Sequence, residues 1–357
     1  DNLHLDHDAL ILFTSGTTGI PKGVVHTFRS LLSRITLNQT FLTTDIMHKT
    51  LSVLPTHFGH GLIGNCLTPL LAGCDLVLAP GANLMVSSSL NKIIDDYEIT
   101  FMSSVPSLWK KIMTINVERP KKLSLQTIHI GSAPLSSDLW HKVREWSGAK
   151  TVTNMYGITE TANWIAGSVG EPKDGLVGKM WGGYAGILNE QQEISLKGVG
   201  EIVIQTPSLF KEYFQLPEKT SEVFSDGWYR TGDIGYIDNK GHIYITGRAK
   251  YEINRGGIKI YPEDVDIAIE RHPDISEACT FSIPDEIEGQ SVGVAISFIK
   301  NSDSNLNDIK AWCRQNLSRE KNPVRWFVKE SIPKTDRGKL NRDVVAKFCM
   351  DDLIENS

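Results

Sequence analysis

The sequence has no apolar run of membrane-spanning length, and no signal peptide is visible at its start, so neither a membrane anchor nor a secretory leader is expected. Cysteine is sparse: Cys66, Cys74, Cys279, Cys313 and Cys349 are five in 357 residues, with no C-x-x-C pair and no metal-ligand spacing. That fits reduced thiols in a cytoplasmic protein better than a disulfide framework. There is no basic block; 37 Lys+Arg against 42 Asp+Glu leave a net charge of −5. Nucleic acid is therefore not the expected partner. Internal repeats and low-complexity segments are also absent. What is present is ordinary: 40% hydrophobic and 22% charged residues, enough for a real core and two or three domains.

From Ala9 to about Gly157, short β-branched or apolar runs ("TLSVLP", "CDLVLAP", "TFMSSVP", "LQTIHIGSA") alternate with amphipathic stretches such as 87–97 and 136–146. Alternating strands and helices predict an α/β fold, a mainly parallel sheet with helices on both faces. From 175 to 247 the pattern becomes strand-rich, with a hairpin signal at Asn239-Lys240-Gly241, and predicts a small β subdomain. After Arg248, Pro262 and the acids behind it open a helix, and strand-like "SVGVAISFIK", a helix at 306–317 and "RWFVKES" follow. The expected division is 1–247, with its α/β part at 1–174, and a C-terminal α+β domain at 248–357.

One loop carries chemistry. "ILFTSGTTGIPKGVVHT" runs from Ile11 to Thr27. After a strand come small and hydroxyl residues, Thr14, Ser15, Gly16, Thr17, Thr18 and Gly19, then Pro21, Lys22 and Gly23. Such a loop exposes backbone N–H groups and hydroxyls to phosphate oxygens, and Lys22 adds a fixed positive charge. It is not a Walker loop, because Pro21 precedes the lysine and Gly23, not Ser or Thr, follows it.

Five further stretches follow in order: "GSAPL" (Gly131–Leu135), "NMYGITETA" (Asn154–Ala162), "GWYRTGDIG" (Gly227–Gly235), "GRAKYEINRGGIKIYPEDV" (Gly247–Val265) and "PKTDRGKLNR" (Pro333–Arg342). Together with the loop they resemble the adenylate-forming superfamily of acyl-CoA synthetases, peptide-synthetase adenylation domains and luciferases. The resemblance implies a two-step reaction. A carboxylate attacks the α-phosphate of ATP, giving an acyl-adenylate and pyrophosphate; a thiol then displaces AMP. It also implies roles. Thr14–Gly19 and Lys22 would hold the phosphates. Gly131, Ser132 and Ala133 would edge the adenine pocket, and Tyr156, beside Gly157, would stack on the base. Thr159 would reach the α-phosphate and Glu160 would ligate Mg²⁺, which needs only one or two protein carboxylates. Asp233 would accept from the ribose hydroxyls, and Arg248 would reach ribose or phosphate. Lys339 would bridge the attacking carboxylate and the α-phosphate, where two anions must meet. Lys250 would be the hinge and Gly257 the wall of the thiol channel. Read alone, Tyr156 is a core aromatic, Glu160 a surface charge, Asp233 a turn residue and "DRGKLNR" a solvated basic turn; the shared order reverses those readings.

By the same mapping the acyl pocket lies near Leu54–Gly64, with His57, Phe58, Ser107, Ile130, Met155, Asn163 and Trp164. His57 and His60 flank Phe58, where many relatives carry a histidine. Gly59 stands where amino-acid-activating domains place an Asp for the substrate ammonium, so α-amino acids are disfavoured. An aliphatic or aromatic acid is expected, as in fatty acid metabolism, with CoA as the simplest thiol. The phosphopantetheine of a separate carrier protein, loaded with an aryl or other acid, is the alternative. Relatives carry a long segment before the phosphate loop. A chain opening on Asp1 therefore reads as a cut, or as one completed by a second chain. A non-catalytic nucleotide-binding remnant and a luciferase-like oxygenase are the other classes that these residues leave open.

Overall fold

A computed structural model describes residues 3–14, 21–168, 170–300, 302–335 and 339–355, with side chains to 351. The chain divides into two compact units, Asp1–Thr231 with Gly235–Tyr244, and Gly232–Ile234 with Ile245–Ser357.

In the first unit five strands run parallel, in the order Asp75–Leu78, Lys49–Ser52, Phe101–Ser104, Thr127–Gly131 and Thr151–Gly157. Beyond Thr151–Gly157 pairing turns antiparallel, through Trp164–Ser168 to Leu176–Met180, so the sheet is mixed. The antiparallel part includes Tyr184–Leu188 beside Gly198–Gln205. Strand period decides which face each side chain meets. Ile128 and Ile130 join a core cluster with Trp109, Ile112, Trp140 and Val143. His129, between them, meets the rings of Phe41, Phe101 and Trp164 instead.

The covering helices are specified locally. Ser137–Ser147 starts where the Ser136 hydroxyl accepts from the Leu139 N–H and stops at Gly148, whose φ of +63° suits glycine. Its Trp140, Val143 and Ser147 recur at helical spacing on the buried side. The indoles find acceptors: Trp140 Nε1 donates to Val152 O at 2.9 Å and Trp146 Nε1 to Val117 O at 2.8 Å. On the other face, the helix Phe28–Leu42 contributes Phe41 and Leu42 to a cluster with Phe101, Met155 and Trp164.

A separate three-stranded sheet pairs Asp8–Thr14 with Lys22–Thr27, and Lys22–Thr27 with Glu212–Tyr213, all antiparallel. Val24 and Val25 are fully buried at its centre.

The second unit holds a sheet in the order Ile258–Ile260, Ile253–Arg255, Gly289–Phe298 and Ile275–Asp285, with Arg325–Val328 parallel to Gly289–Phe298. Gly256 and Gly257, with φ of +57° and +91°, make the tight turn between its first two strands. The helices Pro262–Glu270, Leu306–Asn316 and Arg342–Glu355 belong to the same unit. A buried cation ties two of them to the sheet. Arg342 Nη1 lies 2.7 Å from Asp266 Oδ2 and donates to Thr280 O at 2.8 Å, and Nη2 lies 3.0 Å from Glu263 Oε1. Burial opposes the charge on Arg342, but the carboxylates of Asp266 and Glu263 outweigh it and raise its pKa.

Arg342→Ala would leave the buried Asp266 and the half-buried Glu263 without their cation. A loss of about 3–5 kcal/mol is expected, read as a lower thermal unfolding transition of the second unit. An unchanged transition would show that the cluster contributes little.

Candidate active site

The phosphate loop of the sequence is the connection of a hairpin. Thr14 and Lys22 pair across its base, and the Thr14 hydroxyl donates to Lys22 O at 3.4 Å. Ser15, Gly16, Thr17, Thr18 and Gly19 lie outside the described residues. Gly23 lets the sheet close, because a Cβ there would stand 3.0 Å from Ile11 Cγ2 and 3.1 Å from Phe214 Cβ. Lys22 Nζ lies 4.0 Å from the centroid of the Tyr213 ring, a cation–π contact.

Tyr213 also reaches the stretch that the sequence leads one to expect at the α-phosphate. Its hydroxyl donates to Glu160 Oε1 at 2.8 Å. Glu160 sits in the 3₁₀ turn Thr159–Thr161, which follows the strand ending at Gly157. That turn is gripped three times from the small sheet and its neighbours. His26 Nε2 lies 2.8 Å from Thr159 O, the Phe210 N–H donates to Glu160 O at 2.8 Å, and Tyr213 holds the carboxylate. Within the turn, the Thr161 hydroxyl accepts from the Ile158 N–H at 3.2 Å. A Cβ at Gly157 would lie 2.3 Å from Asn163 O, so only glycine fits where the strand meets the turn. Burial lowers the His26 pKa to about 4, against the pull of the Thr159 carbonyl. The ring is therefore neutral, and Nε2 carries the proton given to Thr159 O.

Tyr156 is buried in the strand beside Gly157. Gly131 ends the neighbouring strand, and a Cβ there would lie 2.8 Å from Met155 O. Ser132 and Ala133 are half-buried. Ser132 takes φ of +67°, and its hydroxyl lies 2.8 Å from His60 Nδ1. His60 Nε2 lies 2.6 Å from the Ser103 hydroxyl. His60 opens a π-helix, His60–Leu67, a rare form that gathers at functional sites.

Of the seven residues expected to line the acyl pocket, four divide between two hydrophobic clusters. Phe58 and Ile130 belong to the cluster around Trp109, whereas Met155 and Trp164 belong to the cluster around Phe101. Ser107 is half-buried, and His57 is exposed with its ring 5.6 Å from that of Phe58. Trp164 is wedged edge-on against His60 at 5.4 Å and His129 at 4.9 Å. Beside them Phe41 stacks on Trp181 at 4.1 Å. Among the described residues, neither ring nitrogen of His129 nor Trp164 Nε1 finds a hydrogen-bond partner.

In the second unit, Asp233 is buried and Arg248 Nε lies 2.8 Å from its Oδ1. Lys250 Nζ lies 2.5 Å from Asp343 Oδ2, at the start of the C-terminal helix. The Gly257 N–H donates to Asn254 Oδ1 at 2.9 Å in the tight turn. Lys339 is exposed at one end of a short hairpin: Thr335 N–H donates to Lys339 O at 2.9 Å, and Lys334 pairs with Leu340. An ion pair from Lys334 to Glu277 fastens that hairpin to the strand Ile275–Asp285.

Residues 1–214 match the model of the AMP-binding enzyme family, and residues 264–339 match that of the AMP-binding enzyme C-terminal domain. The chain belongs to the AMP-binding enzyme family. It is of the acid–CoA ligase type within that family. It is 35% identical to oxalate–CoA ligase of Arabidopsis thaliana, over 98% of this chain and 69% of that protein. It is 31% identical to malonate–CoA ligase of the same plant, over 96% of this chain and 61% of that one. Among solved structures, ATP-bound MatB from Rhodopseudomonas palustris superimposes with a TM-score of 0.88 at 25% identity, covering 98% of this chain and 69% of that chain. O-succinylbenzoate coenzyme A synthetase from Bacillus subtilis, in complex with ATP and magnesium ion, does so with a TM-score of 0.85 at 27% identity, covering 96% and 71%. Among the described residues, no helix is long and apolar enough to cross a membrane.

Tyr213, His26, Phe210 and His129 carried no signal in the sequence that marked them for this site. Tyr213 follows a lysine and a glutamate in an unpatterned stretch, and His26 reads as one more residue of a buried strand.

Two of these histidines give the family member a pH dependence. Burial lowers His26 to about 4 and His129 to about 3, from an ordinary 6.5, the nearby His60 adding to the shift of His129. Below 6.5 the unfolded chain binds protons that the folded chain refuses. Stability is thus fully present above pH 6.5 and falls as pH is lowered toward 4, by up to about 1.4 kcal/mol per pH unit for each ring. Urea midpoints are expected to drop between pH 7 and 5, and His129→Leu to flatten the slope. A flat profile in the unaltered protein would contradict the assignment.

Proposed function

We propose that this chain activates a carboxylic acid with ATP and transfers the acyl group to CoA. The observation that carries the proposal is the joining of Lys22 and Glu160 through one residue, Tyr213. A cation suited to pyrophosphate and a carboxylate suited to Mg²⁺ thereby face one place. In the first step a carboxylate oxygen bonds to the α-phosphorus as the bond to pyrophosphate breaks. Lys22 neutralises the departing pyrophosphate, and Lys339 bridges the two anions that meet. Thr159 and Glu160 fit a magnesium ion, which takes one or two protein carboxylates beside phosphate oxygens and water. When bound, the ion supplies charge to the phosphate oxygens. The turn that carries both residues is already held by His26 and Phe210. Asp233 receives the ribose hydroxyls, with Arg248 beside its carboxylate. In the second step the thiol sulfur bonds to the acyl carbon, AMP departs and the thiol proton leaves to solvent. Lys250 and Gly257 serve as hinge and channel wall.

The acid is short and carries a second polar or anionic group. Two observations support this. The space around Trp164 is filled by His60, His129 and Phe101, which leaves little room for a long tail. The polar pair His60–Ser132 and the Trp164 Nε1–H, which has no acceptor among the described residues, suit a polar or anionic group better than a methylene chain. Relatives named for oxalate, malonate and sulfoacetate are 35%, 31% and 30% identical, whereas one named for long-chain fatty acids is 29% identical. This reading replaces the apolar acid expected from the sequence.

Carboxylate-dependent ATP–pyrophosphate exchange over oxalate, malonate, succinate, benzoate and octanoate tests it, with CoA thioester formation measured afterwards. Exchange is expected with a short diacid, reduced about 100-fold or more in Lys339→Ala. Exchange with octanoate alone would overturn the acid class. No exchange with any acid would favour a binding remnant, and thioester formation only on a carrier protein would replace CoA. Trp164→Ala is expected to admit longer acids, measured as a shift of kcat/KM along a diacid series; an unchanged series would remove Trp164 from the pocket.

A further inference from the structure

The geometry points to Tyr213 as a positioning residue that sets the metal carboxylate and the phosphate lysine in one frame, an inference that rests on the roles proposed for Glu160 and Lys22. Tyr213 is 2% exposed, so its ring has one environment. It has two working surfaces. The ring face holds the Lys22 ammonium at 4.0 Å from its centroid. The hydroxyl donates its single proton to Glu160 Oε1 at 2.8 Å. A second phenol fixes that direction. Tyr229 O lies 3.3 Å from Tyr213 O, and both phenols carry their protons near neutral pH. Since the Tyr213 proton is engaged with Glu160, Tyr229 is the donor between the two rings. The order Tyr229 to Tyr213 to Glu160 leaves Oε1 occupied and orients the carboxylate. Partners of this kind, behind a metal ligand, commonly change metal affinity 10- to 100-fold when removed.

Tyr213 is held by backbone rather than by its own side chain alone. Tyr213 pairs with Val24 in the strand ladder, Lys211 N–H donates to Val25 O at 2.8 Å, and Phe214 N–H donates to Gly23 O at 2.7 Å. The same strand carries Lys22 at its start. Ring and lysine thus share one small sheet, and the Tyr213 hydroxyl carries its position across to the carboxylate in the turn Thr159–Thr161.

The two surfaces can be separated by substitution. Binding of ATP to the full chain is measured by titration calorimetry, once with magnesium chloride and once with EDTA, alongside thermal unfolding. Tyr213→Phe keeps the ring over Lys22 and removes the hydroxyl. Its metal-free ATP affinity is expected within about twofold of the unaltered protein, with the magnesium-dependent tightening reduced about tenfold. Tyr213→Leu removes both surfaces and should weaken metal-free binding as well, about threefold. Magnesium-dependent tightening in Tyr213→Phe equal to that of the unaltered protein would overturn the inference. So would an equal loss with and without the metal, which marks a merely structural role. Glu160→Gln separates the levels. If it abolishes the tightening while Tyr213→Phe retains it, the inference fails and the parent reading stands. If Glu160→Gln itself retains the tightening, the metal role of Glu160 fails and the inference falls with it.

Discussion

The pairing of the strand Lys22–Thr27 with Glu212–Tyr213 is the constraint on which the candidate site depends. It is a short ladder, yet it carries Lys22, His26 and Tyr213, and Phe210 lies just before it. Through those residues it grips both the carbonyls and the carboxylate of the turn at Thr159–Thr161. Each grip is a hydrogen bond in a place of restricted water, where an unmade bond costs more than a made one returns. A turn held at two carbonyls and one carboxylate has few alternative positions. Preorganisation of that kind is what electrostatic catalysis requires, because groups already aimed at developing charge need not reorganise during reaction.

The parallel sheet supplies the rest of the first unit's frame, and its pleat sorts chemistry from packing. Ile128 and Ile130 face helices and fill a core, while His129 between them faces aromatic rings. A buried imidazole with no partner among the described residues is expensive, and its lowered pKa reflects the burial. The same face carries Trp164 against the π-helix at His60–Leu67. A Cβ at Gly64 would lie 2.7 Å from the Trp164 ring, so the glycine is what lets helix and indole meet.

The second unit follows a different logic. Its Lys339 is exposed, and the hairpin bearing it is fastened by Lys334 to Glu277 and by Leu340 to the cluster around Phe281. Arg342, three residues on, is sunk among Asp266, Glu263 and the Thr280 carbonyl. An exposed cation thus hangs beside one that is paired inside the fold. Ion pairs buried this deeply give little net stability but a strong preference for one arrangement.

Much of this was legible in the sequence. The alternation of short apolar runs with amphipathic stretches predicted the parallel strands and their helices, because backbone period and burial act locally. Six ordered stretches placed Lys22, Thr159, Glu160, Asp233 and Lys339 in a family, because the chemistry of holding phosphate and carboxylate limits which residue types can serve. What the sequence did not contain was adjacency. Tyr213 lies 53 residues from Glu160, and His26 lies 133 from Thr159, and no local pattern links either pair. Nor did it show that Ile130 and Phe58 pack away from Met155 and Trp164, since that depends on strand register and helix placement. The sequence by itself determined the element types, the family and the candidate residues for the site. Only the tertiary structure decided which of them touch, because hydrogen bonds and ring packing depend on distances that chain separation does not encode.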